Sequence, residues 1–168
     1  MKTIIYLFFP AVMFIAGCTF ALDQKKKSEE WMAFNQGLIK GAAEKKPAVI
    51  DFYTDWCHWC KVMDEKTFSN PEVKKFLQEN FITVKVQAES TDEQHTFQGK
   101  DYNSVQLTRA FGISGFPSLA FLDSGQNVIT VMPGYIEAPM FLHILKYIKG
   151  EYYKKQMSLE DFIKKNGK

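Results

Sequence analysis

The chain has 168 residues, a length suited to one domain, and its 46% hydrophobic and 15% aromatic residues are ample for a single packed core. Its 21 basic and 19 acidic side chains leave a formal charge of +2. That balance excludes the large basic excess that would mark nucleic acid or an anionic membrane as the partner.

From the first residues onward, Lys2 precedes an uncharged run over 3–22 that is mostly apolar between Ile4 and Ala16. This reads as an export signal, because a spanning helix wants about 20 predominantly apolar residues; an uncleaved anchor is the alternative. The run contains Ile15-Ala16-Gly17-Cys18, which resembles the lipobox of bacterial lipoproteins, with Cys18 acylated as the mature N-terminus. Cleavage after Thr19-Phe20-Ala21, discarding Cys18, is the other outcome. Both remove Cys18 from redox chemistry and leave an exported protein with the even pair Cys57 and Cys60. Those two lie too close in sequence to close a stabilising loop, so chemistry explains them better than structure.

A polar linker over 23–30 follows, in which Ser28-Glu29-Glu30 supplies a cap and first-turn acids for a helix carrying Trp31, Phe34, Leu38 and Ala42 as far as about residue 45. Residues 48–53 form an apolar run of strand length broken by one carboxylate, Asp51, and read as a buried central strand. A helix starting near Cys57 turns Val62 and Met63 inward. Asn70-Pro71-Glu72 then gives a cap, a first-turn proline and an acid, opening a helix to about residue 79 with Val73, Phe76 and Leu77 on its buried stripe. Residues 81–86 are the next strand, and the polar stretch 88–103 reads as a loop insertion. Ser104 is the expected cap of a short helix ending at Gly112. Strands over 118–122 and 128–132, joined through Asp123-Ser124-Gly125-Gln126-Asn127, make a hairpin, and a last helix covers about 137–149. The basic, aromatic tail over 151–168 is expected to be a solvated helix capped by Ser158. Alternating helices and strands closed by a hairpin predict an α/β fold, a mixed sheet of about four to five strands with helices on both faces.

Asp51-Phe52-x-x-x-Trp56-Cys57-x-x-Cys60-Lys61, together with Gly115-Phe116-Pro117-Ser118, resembles the redox motif and the cis-proline loop of the thioredoxin superfamily, over roughly residues 48–150. Thr67-Phe68-Ser69-Asn70-Pro71 and Pro133-Gly134-Tyr135 are similar to exported members, including periplasmic sulfur-oxidation thioredoxins and the thiol domain of the transmembrane disulfide reductase. The resemblance implies a thioredoxin-like domain over about 31–150, a thiol–disulfide oxidoreductase with no cofactor beyond its Cys57–Cys60 disulfide, and a cis bond before Pro117. It also implies a periplasmic address, cysteine-containing exported proteins as substrates, a membrane electron donor or acceptor as partner, and a monomer. Three departures stand out. His58-Trp59 replaces the usual Gly-Pro between the cysteines, Glu65 replaces a helix-kinking proline and so suggests a straighter helix, and no first edge strand is evident ahead of Trp31.

Only a thiolate attacks a disulfide, and a helix start supplies the unpaired N–H groups and positive potential that favour one at Cys57. Cys57 is therefore the expected nucleophile, and Cys60, one turn on, the resolving thiol. Asp51 sits six residues before Cys57 among apolar neighbours, where desolvation raises its pKa; the family gives this position a proton exchange with Cys60. Lys85 looks like the lysine that neighbours this aspartate, or else it is exposed. His58 either tunes the thiolate by its charge or is a solvated loop histidine. Trp56, Trp59 and Phe116 are candidates for substrate contact, against packing on nearby loops. Zinc is not expected, since a structural site needs about four ligands and only His58, His95 and His143 accompany the cysteines; haem is excluded because Lys61 follows Cys60. The competing functions are a disulfide oxidase or isomerase, and copper(I) capture by the two soft thiolates.

Overall fold

The computed structural model describes residues 31–167, so the expected signal, Cys18, the 23–30 linker and the Ser28 cap lie outside the described residues. Strands β1 (Ala48–Tyr53), β2 (Ile82–Gln87), β5 (Ser118–Leu122) and β6 (Val128–Pro133) form one sheet in the order β2-β1-β5-β6. β1 and β2 run parallel, as a crossover connection requires, whereas β5 and β6 are antiparallel to their neighbours.

Side-chain alternation splits the core into two layers. Ala48, Ile50 and Phe52 of β1 pack with Ile82, Val84 and Val86 of β2 beneath α1 (Phe34–Glu44) and α4 (Ser104–Ala110). Val49, Leu119 and Phe121 face the other way, against Met63 of α2 (His58–Met63), Val73 and Leu77 of α3 (Pro71–Asn80), and Phe141 and Leu145 of α5 (Ala138–Lys149). The register pairs Asp51 with Lys85, so the charged residue inside β1 and the charged residue inside β2 are adjacent and share the face covered by α2. Among the described residues no helix is long and apolar enough to cross a membrane.

Five local expectations are corrected. α1 begins at Phe34, with Ala33 at its cap making no side-chain bond; Trp31 and Met32 precede it in an extended segment. Met32 lies along the outer edge of β2, its N–H donating to Thr83 O at 2.9 Å and its carbonyl accepting from Lys85 N at 3.1 Å. Pairing with the open edge of β2 satisfies backbone groups that a longer helix would have taken into its own ladder.

The second correction falls on the stretch 88–103, which holds an antiparallel hairpin, β3 (Gln94–Phe97) and β4 (Lys100–Asn103). Its two turn residues, Gln98 and Gly99, have φ of 50° and 75°, the left-handed pair that a tight hairpin turn uses. His95 and Phe97 point inward, and Phe97 packs on Phe111 with ring centroids 5.0 Å apart. Two inward residues in four are too few to register as a strand period amid polar neighbours.

Third, Asn103 rather than Ser104 caps α4, exchanging bonds with Gln106 in a reciprocal capping box at 2.9 and 3.0 Å. Ser104 is the first helical residue, and its buried hydroxyl meets His95 Nε2 at 2.7 Å. Fourth, α2 does not continue as a straight helix past Glu65; residues Asp64–Phe68 widen into a π-helical turn. Fifth, the tail is docked. A 3-10 turn, Tyr152–Lys155, leads to α6 (Leu159–Asn166), whose Phe162 is buried between Tyr147 and Tyr152 with centroids at 5.7 and 4.6 Å.

Candidate active site

β1 ends at Tyr53 and the chain turns immediately into α2, the carbonyl of Thr54 accepting from Cys57 N at 3.2 Å. Cys57 is the N-cap of α2: its backbone is extended (φ −71°, ψ 104°), and its Sγ accepts from Cys60 N at 3.1 Å. The first sulfur therefore stands where helix N–H groups lack partners within the helix. Cys57 and Cys60 are joined in a disulfide with Cα atoms 5.3 Å apart, and both are buried. A sulfur that accepts a backbone N–H bond at a helix start is better stabilised as an anion than as a thiol.

Beneath α2, Asp51 is 2% exposed, and its Oδ1 has no hydrogen-bond partner. Its Oδ2 lies 3.5 Å from Lys85 Nζ, which binds both carboxylate oxygens of Asp64, at 2.5 and 2.8 Å. Burial pushes the Asp51 pKa up to about 7; the negative charge of Asp64 adds to the rise and Lys85 opposes it. A carboxyl titrating near neutrality with one free oxygen can take up or release a proton during turnover.

Around the disulfide the surface is aromatic. Trp56 and Trp59 are 69% and 54% exposed, large values for indoles flanking a buried sulfur pair. Trp56 donates from Nε1 to Glu89 Oε2 at 2.9 Å and meets the Phe116 ring edge-on at 6.3 Å. Trp59 lies against Tyr135 at 5.4 Å, and exposed His58, the first residue of α2, meets Trp59 edge-on at 5.6 Å. The Phe116–Pro117 bond is cis. Ser118 pairs with Phe52, which places Pro117 at the end of β1 from which the cysteine loop departs, and its carbonyl accepts from Gly134 N at 2.8 Å.

Asp51, Trp56, Cys57, His58, Trp59, Cys60, Lys85, Phe116 and Pro117 are thus gathered at one end of the sheet, while Cys18 lies outside the described residues. The sequence reading missed Asp64, Glu89, Trp31 and Tyr135. Asp64 had a usable signal, a carboxylate four residues after Cys60 and so one helical turn below it. Glu89 had none, since its contact spans 33 residues. Among the described residues no group of three or more His, Cys, Asp or Glu is placed to hold a metal ion.

A family model for the thioredoxin-like domain matches residues 34–149. The chain belongs to the thioredoxin-like family. Its Cys57–Cys60 disulfide lies inside the matched span, where a thiol–disulfide oxidoreductase would carry its working pair. The thiol:disulfide interchange protein DsbD of Escherichia coli K12 is 36% identical over 109 residues, 64% of this chain and 17% of that protein. The DsbD of Yersinia pestis is 30% identical over 110 residues, again 17% of its length, so the chain spans a small part of these curated relatives. The fold is shared with a thioredoxin-fold protein from Helicobacter pylori at a TM-score of 0.64, 20% identity, and coverage of 73% of this chain and 80% of that one. A Thermus thermophilus thioredoxin matches at 0.58, with 22% identity and coverage of 72% and 87%.

Proposed function

We propose that this thioredoxin-like domain acts outside the cytoplasm as a reductase of disulfides in exported proteins. The observation that carries the reading is Cys57 at the cap of α2, its sulfur held by Cys60 N and bonded to Cys60, above a buried Asp51 with a free oxygen. In the reduced protein the Cys57 thiolate attacks one sulfur of a substrate disulfide; the other substrate sulfur leaves as a thiolate and takes a proton from water. Cys60 passes its proton to the Asp51 carboxylate, and its sulfur attacks Cys57 Sγ, closing the internal disulfide and releasing the second substrate thiolate. Two electrons have then moved from the domain to the substrate. A dithiol on a membrane donor restores the reduced state by the same exchange in reverse, and no further cofactor is needed.

Similarity to the DsbD proteins supports the interchange chemistry and the membrane donor, and the export-like composition of residues 1–22 supports the location. Cys18 is proposed to carry the lipid that tethers the protein, so Cys18→Ser is expected to shift it from the membrane fraction to the soluble one. Trp56, Trp59 and Phe116 form the apolar rim against which substrate chain rests. The opposite direction, oxidation, would use the same pair, and the feature that bears on it is the imidazole of His58 on the first turn of α2, next in sequence to Cys57.

The test is an insulin-reduction assay with variants. Cys57→Ser is expected to abolish turnover, whereas Cys60→Ser retains the first attack and accumulates a mixed disulfide through Cys57. Trapping through Cys60 in the Cys57→Ser protein, or full turnover without Cys57, would overturn the assignment.

A further inference from the structure

The ion cluster beneath the disulfide has more members than the chemistry above uses. Lys85 Nζ lies within 5.5 Å of the Trp31 ring centroid, 5.2 Å of Tyr53 and 5.9 Å of Phe68. Trp31 and Phe68 pack on each other at 4.6 Å, so the rings from the N-terminal segment, β1 and the π turn form three walls around one ammonium. The fourth side is Asp64, bound through both oxygens, while Asp51 stays at 3.5 Å. Lys85 thus makes its closest contacts with the half-exposed carboxylate and leaves the buried one the longer ion pair, 3.5 Å against 2.5 Å. Next to Trp31, Met32 bonds to the backbone of Thr83 and Lys85 and so brackets Val84 on the edge of β2.

We propose that Trp31 and Asp64 are positioning residues of the redox centre. Asp64 detains Lys85, Trp31 limits the water that reaches its ammonium, and together they leave the buried Asp51 with only the longer of the two ion pairs. The segment emerging from the linker is then a functional wall of the site and not only a lead-in to α1. Several elements bring groups toward Asp51: β2 contributes Lys85, the π turn Asp64, its own strand Tyr53 and α2 the cysteines. β5 offers Leu119, and α3 and α5 present apolar side chains such as Val73 and Phe141 on this face.

Releasing Lys85 from Asp64 gives Asp51 the nearby cation alone and removes a like charge, so its carboxylate form is favoured. Opening the Trp31 wall hydrates Asp51, and hydration favours the same form.

The measurement is a carbon-13 titration of the Asp51 carboxyl in the oxidised full-length protein, with Asp64→Asn, Asp64→Glu, Trp31→Leu and Trp31→Phe. Asp64→Asn is expected to lower the midpoint by about one pH unit or more. Trp31→Leu is expected to lower it in the same direction, whereas Asp64→Glu and Trp31→Phe stay close to the native value. A midpoint unchanged or raised in Asp64→Asn, with native hairpin and helix resonances retained, overturns the inference. Only its kinetic consequence rests on the function proposed above. If the midpoints move and insulin is not reduced, the positioning stands and the reductase reading fails; if insulin is reduced and the midpoints do not move, the reverse holds.

Discussion

Asp51 is the residue on which stability and chemistry conflict. Its pKa in the folded chain is about 7, against an ordinary value of 3.8, because burial disfavours the charged form. Between those two values the folded protein holds a proton that the unfolded chain has released, so unfolding is accompanied by proton loss and becomes easier as pH rises. The contribution to stability is fully present below about pH 4, is lost as pH rises through 7, and amounts to roughly 4 kcal/mol at most. Asp51→Asn is therefore expected to raise stability at pH 8 by a few kcal/mol, with a smaller gain at pH 5, as read by urea unfolding at both. The same variant is expected to slow closure of the internal disulfide at every pH and to lack the loss of rate below about pH 7 that is expected of the native protein. Cys57, Cys60 and Asp51 were legible because their relation is local, six residues of strand and turn. Asp64 offered a local signal, one helical turn below Cys60, but its hold on Lys85 and the place of Trp31 were not legible, because both contacts form only after β2 has paired with β1 and Met32 has taken the outer edge.

Among the elements, α1 shows how backbone approach outweighs propensity. A Cβ built on Gly37 would run into the side chain of Val84, so the glycine lets the helix settle on β2. Gly37→Ala gains ~1 kcal/mol of helix propensity. It is nonetheless expected to destabilise the protein by about 1–2 kcal/mol in denaturant unfolding, since the overpacking at Val84 costs more. The β3–β4 turn gives the converse case. Nothing lies within 4 Å of a Cβ placed on Gly99, yet its φ is +75°. Gly99→Val is expected to lose about 1–2 kcal/mol through the backbone alone, seen as faster amide exchange confined to the hairpin. The cap of α3 could be read from Asn70-Pro71-Glu72 because capping is a matter of neighbours in sequence, and Asn70 Oδ1 does accept from Glu72 N at 3.0 Å. The hairpin escaped notice because its inward residues, His95 and Phe97, owe their burial to Phe34 and Phe111, far away in the chain.

For the whole molecule, the continuous apolar runs at 48–53 and 118–122 announce strands buried on both faces, which is what a two-layer core requires, and one crossover and one hairpin account for the β1–β2 and β5–β6 pairings. What the sequence did not disclose was the docking of the tail, where Phe162 closes over Tyr147 and Tyr152 at the end of α5. Truncation after Gly150 removes that buried ring but none of the residues gathered at the disulfide. It is expected to lower the Tm by several degrees and leave the rate of insulin reduction close to native, which also tests whether the redox unit ends near residue 150. Cys57 and Cys60 are expected to exchange two electrons together, and equilibration against glutathione buffers with counting of free thiols measures this directly. Two thiols should appear in a single transition whose midpoint lies nearer the ~-270 mV of thioredoxin than the ~-120 mV of a strong periplasmic oxidant. No interconversion, or a midpoint at the oxidising end, would contradict it.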